Sequence, residues 1–377
     1  MSELGKARLR LEVKREIVRE NFRKIVAGAA PAQVFAVLKA NAYGLGVDPI
    51  AQCLHEAGAV AFCVADLDEA LHLRNSFPDK PIQILGSVFD FELQDAVAND
   101  LILGIPGLEA AQKISTESVR QNKITECHFK IDVGMGRVGI LAQDALKIIP
   151  EILRLPNLNC CGIYAHFPSS ERGENEENTA QIQRFLAVVN GMAAQGVSFR
   201  KVHMANSDGI NHCPRTHQPP FTHVRAGIDL HGSFSGDNNN LGLEPVYTLK
   251  THLAAHRMMP AGHGIGYNST CILEKDTRIA LIAGGYADGL PLALSNRGRV
   301  IINGRYCPVI GRVSMDYTSV SLEAFGDDEL PQPGTEVTLI GREGDAVVTT
   351  EEWAALKGTH PYDILCSFGP RVKRIFI

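Results

Sequence analysis

Lys39 closes the run Val34–Leu38, five consecutive apolar residues of the kind that make a buried strand, and the glycine-containing stretch "ANAYGLG" follows it. An ammonium placed where a strand leaves the core is costly unless it is paired, neutralised or used. Lysine is also the side chain that loses its proton most readily on desolvation, which makes it a nucleophile for carbonyl compounds. Taken alone, the stretch has a plainer reading, a solvated lysine at an ordinary strand end. Other polar residues stand in the same kind of place. Arg137, in "GMGRVG", follows "CHFKIDV"; His166 closes "LNCCGIYAHF"; Asn206 and Ser207 follow "KVHMA"; Arg225 closes "THVR" and leads into "AGI".

Ser207 and the amides of Gly227 and Ile228 offer donors to an anion, and Gly227 lets the backbone approach it closely. Each has a simpler use, Ser207 as a helix cap and Gly227 as a turn. A carbonyl-reactive lysine and a phosphate cradle at strand ends together suggest pyridoxal phosphate, with Lys39 as Schiff-base residue and His166 or Arg225 beside the ring nitrogen. "GMGRVG" also matches GxGxxG after a strand. The next strand ends in His166, where a ribose-binding acid is expected, so a dinucleotide is the weaker reading.

The elements that must position these residues alternate. Short apolar runs at 33–39, 59–65, 81–86, 101–105, 127–133, 158–167, 201–205 and 222–225 are separated mainly by amphipathic stretches such as "LDEALHLRNSF" and "QIQRFLAVVNGMAAQG". Eight strands alternating with helices predict a parallel sheet. Over this length they predict a closed (β/α)8 barrel, with an open doubly wound sheet as the fallback. Barrel active sites collect at the C-terminal ends of strands, which is where the polar residues fall. Beyond about residue 240 the pattern becomes β- and turn-rich, as in "RVIINGRYCPVIGRVSM". We therefore expect a barrel domain over 1–240 and a mainly β domain over 241–377, with an early strand at 7–13 that pairs with the latter.

Composition narrows the class. The chain has 377 residues, 45% of them hydrophobic, enough for a large domain and a smaller one. A net charge of −5 with interspersed signs gives no footprint for nucleic acid. No apolar run approaches membrane-spanning length, and the first residues lack the apolar core of a signal peptide. Nine cysteines without a CxxC pair read as reduced, buried thiols of a cytoplasmic protein, and no clustered metal ligands are apparent.

The segments "AVLKANAYGLG", "KIDVGMGRVGI", "GIYAHF", "HMANS", "VRAGIDLHG", "GIGYNST", "GGYADG", "GRVSMD" and "PYDILC" run from residue 36 to 366 in the order found in bacterial alanine racemases. The sequence resembles that family over nearly its whole length. The resemblance implies that Lys39 carries pyridoxal phosphate and acts as one acid–base residue, with Tyr267 as the second. It implies that Arg225 faces the pyridine nitrogen with His166 in support. Tyr43, Ser207, Gly227, Ile228 and Tyr362 would hold the phosphate, and Arg137 with the Met315 backbone the substrate carboxylate. Lys130 matches a lysine that is carbamylated in some members. Tyr286, Arg312, Glu171 and Leu292 map to the access channel. The resemblance further implies L- and D-alanine as substrate, D-alanine for peptidoglycan as the role, and a homodimer in which Tyr267, Met315 and Tyr286 serve the partner's lysine.

Three departures stand out. His231 replaces a usual tyrosine, Leu292 a usual arginine, and Glu171 a common aspartate. They leave the catalytic set intact and bear on substrate range, so a serine or broad-specificity racemase is the first alternative. A non-catalytic pyridoxal-phosphate-binding barrel and a fold-related amino-acid decarboxylase are further ones. The long β domain carrying Tyr267 and the lack of decarboxylase motifs disfavour both.

Overall fold

The computed structural model describes residues 7–233 and 239–377. The chain forms two compact units. One gathers the chain up to Ile17 with Tyr43–Gly46 and Pro245–Ile377; the other comprises Val18–Ala42 and Val47–Glu244. In chain order the first strands are β1 (Leu9–Val13), β2 (Gln33–Val37), β3 (Ala61–Val64), β4 (Ile82–Ile84), β5 (Ile102–Ile105), β6 (Thr125–Asp132), β7 (Ile140–Leu141), β8 (Leu158–Tyr164), β9 (Lys201–His203) and β10 (His223–Ala226).

In the larger unit β2, β3, β4, β5, β6, β8, β9 and β10 pair in parallel in that order, and β10 returns to β2, so the sheet closes into an eight-stranded barrel. The short β7 adds to β6 outside the ring. Strands such as "AFCV" and "ILGI" are apolar at successive positions because a parallel barrel covers both faces of each strand. The amphipathic stretches form helices, Leu67–Ser76 and Glu176–Ala194 among them; Asp66 and Asn175 cap these by accepting from the amides of Glu69 and Asn178.

The barrel interior is not wholly apolar. Gln83, His128, Lys130, His203 and Arg225 are all buried on its strands. Glycine makes the room. Gly162 is the register partner of His128, and a Cβ built on it would lie 2.3 Å from the imidazole. A Cβ on Gly104 would lie 2.6 Å from the Tyr164 hydroxyl. Gly162→Ala should therefore destabilise the protein by about 2 kcal/mol, as overpacking of a tight core does. Chemical denaturation checks this; a loss near zero would mean that the imidazole simply moves aside.

In the other unit β1 lies between the strand Tyr247–Met259, to which it runs antiparallel, and Lys373–Phe376, to which it runs parallel, in a sheet that includes Arg299–Ile302 and Glu336–Glu343. The unit is mainly β, although the sequence hid two short helices, Thr350–Lys357 and Pro361–Cys366. Among the described residues no helix is long and apolar enough to cross a membrane.

Candidate active site

Lys39 begins a turn that no ordinary helix would make. Ala40, Asn41, Ala42 and Tyr43 have φ of 53°, 55°, 50° and 52°, four non-glycine residues in left-handed geometry. Each such residue costs about 1–2 kcal/mol, so the turn must be held from outside. The Ala40 amide donates to Glu69 Oε1 at 2.5 Å, the Ala42 amide to the Leu38 carbonyl at 2.8 Å, and the Val47 amide to Asn41 Oδ1 at 2.8 Å. Strain over-determined by its surroundings fits a residue whose direction matters. Here it fixes where the chain turns after β2, and Lys39 with it.

Arg225 is buried on β10 and both terminal nitrogens of its guanidinium are engaged. Nη1 donates to His203 Nδ1 at 2.7 Å, and Nη2 reaches the carbonyls of Ala165 and Met204 at 2.8 and 3.0 Å and His166 Nδ1 at 3.3 Å. Burial, then the charge of Arg225, pushes both histidines well below the ordinary imidazole range, so both accept as neutral rings. With Nδ1 of His203 accepting, its Nε2 donates to His128 Nδ1 at 3.3 Å, and His128 Nε2 donates to Glu126 Oε1 at 3.2 Å. Lys201 Nζ donates to the same oxygen at 2.5 Å. A single line of polar groups thus runs from the C-terminal part of β10 to the first residues of β6 and β9. Burial pushes the Glu126 carboxyl up, but His128 and Lys201 outweigh it and hold the group at about 2.

Lys130 is buried on β6. Its Nζ donates to the Leu85 carbonyl at 3.0 Å and lies 5.5 Å from the centre of the Tyr164 ring. Burial first, then Arg137, Arg225 and Lys39, draw it down to about 8. The same four cations act on His166. Lys39, Lys130, Arg137, His166 and Arg225, far apart in the chain, thus lie within one electrostatic neighbourhood.

The glycine loop is already occupied by its own chain. Burial pushes Asp132 up, but the amides of Gly134, Gly136, Met135 and Arg137 more than offset this and hold it below the usual carboxylate range; the Gly134 amide donates to Oδ1 at 2.8 Å. Amides turned onto Asp132 are not presented to a pyrophosphate, and Arg137 is left exposed at the loop's end.

Ser207 is not the helix cap. Asn206 takes that place, accepting from the Gly209 amide at 3.0 Å and the Ser170 hydroxyl at 2.7 Å. The Ser207 hydroxyl instead lies 3.0 Å from the Gly227 amide, beside the turn Ile228–His231. His231 is fully buried in that turn, and burial drives it down to about 3.

The remaining expected residues are divided between the units. In the smaller unit the rings of Tyr43 and Tyr362 meet edge-on at 5.7 Å. Tyr267 stands 69% exposed in the turn that connects the paired strands Gly264–Ile265 and Cys271–Ile272. A Cβ on Gly266 would lie 3.1 Å from the Arg312 amide, so Arg312 neighbours that turn. Met315 and Tyr286 are adjacent, the Tyr286 amide donating to Ser314 and the Ala287 amide to Met315, and Leu292 follows in a 3-10 turn. Glu171 lies instead in the barrel unit, in the turn Ser170–Arg172.

None of the nine cysteines is in a disulfide; Cys366 is exposed rather than buried, and Cys160 and Cys271 are partly so. The structure also gathers what sequence spacing did not show. Glu126, His128 and Cys161 bring ligand-type atoms within 4.8 Å of one another. The ammonium of Lys201 already neutralises that carboxylate.

A closed parallel barrel with a cationic neighbourhood on and just past the C-terminal halves of its strands, joined to a mainly β unit, defines a barrel protein suited to an anionic ligand. The alanine racemase N-terminal domain pattern matches residues 13–234 and its C-terminal domain pattern residues 246–376. The chain is 36% identical to the alanine racemase of Carboxydothermus hydrogenoformans over 97% of its own length and 98% of that protein. Among solved structures, alanine racemase from D-cycloserine-producing Streptomyces lavendulae superposes with a TM-score of 0.90 at 30% identity, covering 98% of this chain and 97% of that one. Alanine racemase from Bartonella henselae, solved with covalently bound pyridoxal phosphate, gives 0.88 at 30%, covering 98% and 100%. The chain belongs to the alanine racemase family.

Proposed function

We propose that this chain is a pyridoxal-phosphate-dependent alanine racemase that works with two bases, Lys39 and Tyr267, and supplies D-alanine for peptidoglycan in the cytoplasm. The observation that carries the reading is the gathering of Lys39, Lys130, Arg137 and Arg225 around a neutral His166 in a barrel of this family. The donor set suits the cofactor. The cations call for an anion, and Ser207 and Gly227 converge on a carboxylate oxygen of Asp229, as hydroxyl and amide donors to a phosphate would. Ser207, Gly227 and Ile228 would hold the phosphate with Tyr43 and Tyr362, and Lys39 the carbonyl carbon.

When bound, pyridoxal phosphate withdraws electron density from the substrate Cα and makes its proton removable. Inversion needs a proton taken from one face and delivered to the other. An amine and a phenol on opposite faces do this, each in both directions, with Lys39 acting at Nζ and Tyr267 at Oη. Arg137 and the Met315 backbone hold the substrate carboxylate. Lys130, drawn down to about 8, keeps a share of free amine near neutral pH and is the candidate for carbamylation, which would position Arg137.

Arg225 sets the course of the reaction. A guanidinium does not surrender a proton, so beside the ring nitrogen of a bound cofactor Arg225 would leave that nitrogen unprotonated and limit electron withdrawal, which would suppress transamination. Arg225→Glu should slow racemisation by about 10²-fold, the scale of a misplaced acid–base group, and raise the share of turnovers that end in pyruvate. An unchanged ratio of pyruvate to D-alanine counts against this role.

The test of the function is direct. The purified protein is incubated with single L-amino acids and the products are resolved on a chiral column. Alanine should lead, because Lys39, Tyr267, Arg137 and Arg225 are all retained. Leu292, 46% exposed where the family carries a cation, favours some serine turnover as the second reading. Serine or a larger amino acid clearly ahead of alanine overturns the ranking.

A further inference from the structure

The phosphate cradle already contains an anion. Asp229 is fully buried in the turn that follows Gly227. Its Oδ1 accepts from the Ser207 hydroxyl at 2.9 Å, the Gly227 amide at 2.8 Å and the Leu230 amide at 3.0 Å. Its Oδ2 is buried without a hydrogen-bond partner. Two donors assigned above to the cofactor phosphate are therefore aimed at a carboxylate of the chain itself. An unpaired buried carboxylate oxygen carries a desolvation penalty. Two anions sharing one set of donors cannot both stay charged at low cost. A phosphate keeps at least one charge at neutral pH, so the carboxyl is the group that takes the proton. Protonated on Oδ2, it becomes a donor in place of a competitor, and the orphaned oxygen gains a partner.

We propose that Asp229 is a proton-dependent cofactor-binding residue, which donates to the phosphate as a neutral acid and competes with it for Ser207 and Gly227 as a carboxylate. The inference rests on the cofactor reading of this cradle. The surroundings favour the exchange. Burial raises the Asp229 carboxyl to about 7, against the pull of Ser207 and Gly227; Asp208, on the helix that opens at Ser207, pushes upward as well, and the Leu230 amide pulls downward. On the same turn His231 is neutral. The helix Arg15–Ala29 offers the amide of Asn21, which donates to the Leu230 carbonyl at 3.3 Å. On β10 Arg225 is turned to His203 and Ala165.

The sign follows. Below pH 7 the carboxyl is already neutral and phosphate docking needs no proton. Above it, docking takes up one proton, and affinity falls by up to about tenfold per pH unit. The experiment titrates the full chain, stripped of cofactor, with pyridoxal phosphate and with pyridoxal between pH 6 and 9, beside Asp229→Asn, which keeps a donor without the charge. The ratio of the two affinities should fall about fivefold from pH 7 to 8, and about tenfold more from pH 8 to 9, in the wild type relative to Asp229→Asn. Ionisation of the phosphate itself is common to both proteins and cancels. Should Asp229→Asn not fold, infrared difference spectra of the wild type serve: at pH 8, pyridoxal phosphate but not pyridoxal should add the carbonyl stretch of a protonated carboxyl. Parallel pH profiles, or no such band, overturn the proposal. Failure of both compounds to bind overturns the cofactor reading itself, and the proposal with it.

Discussion

Lys39→Ala is expected to be colourless with pyridoxal phosphate and inactive with either enantiomer of alanine. The substitution removes the covalent anchor and one of the two bases together. Loss of a general base alone costs about 10²–10⁴-fold in rate, and loss of the anchor adds to it. The fold should survive. The left-handed turn is held by the amides of Ala40, Ala42 and Val47 and by the side chains of Glu69 and Asn41. Lys39 is also one of the cations that draw Lys130 down, so its removal relieves like-charge repulsion. Thermal unfolding should therefore change little while absorbance and turnover vanish. In the wild type, borohydride followed by proteolysis should leave the cofactor's mass on the peptide that carries Lys39. A yellow, active Lys39→Ala protein would refute the central assignment.

The parts of the site that could be read from the sequence are those set by strand ends. Lys39, Arg137, His166, Ser207 and Arg225 each follow an apolar run, and a parallel barrel brings the ends of its strands together whatever the loops do. What the sequence concealed depends on side-chain direction and on distant partners. Glu126, His128, Lys130 and Asp132 alternate along β6 with Cys127, Phe129 and Ile131. That period-two signal was available, since successive strand residues face opposite ways. It does not reveal that His203, on β9, joins the line to Arg225. The sequence does not single out Asp229, because only the folded chain shows which donors its oxygen meets. The left-handed turn after Lys39 has no glycine at its four positions, so backbone preference argued against the conformation that tertiary contacts impose. In the smaller unit, β1 joins a sheet of strands from the far end of the chain, a pairing that local pattern suggests only through its alternation.

Mixing inactive Lys39→Ala with inactive Tyr267→Phe should restore activity. Tyr267 is 69% exposed, and Met315, Leu292 and Tyr286 on the same unit are 51%, 46% and 44% exposed. Large apolar side chains grouped at a surface mark a face that another surface covers. The homodimer that the family resemblance implies would supply the cover, with Tyr267 of each subunit serving the partner subunit's Lys39. A two-fold axis then makes two equivalent sites, each drawing one base from each chain. In a mixed dimer one site receives both substitutions and the other receives neither. Such a dimer should carry about half the activity of a wild-type dimer, by the two-site symmetry. Equal mixing with free exchange makes about half of all dimers mixed, so recovery should approach about one quarter of the wild-type rate. Each variant alone should stay at least about 10²-fold below that level, since each lacks one base. Exchange is followed independently with differently tagged subunits. If exchange is complete and no activity returns, Lys39 and Tyr267 act within a single chain and the shared-site assembly is wrong. If activity returns to about one quarter, the two bases of one turnover come from two subunits, and separating the subunits by dilution should stop racemisation while the cofactor stays on Lys39.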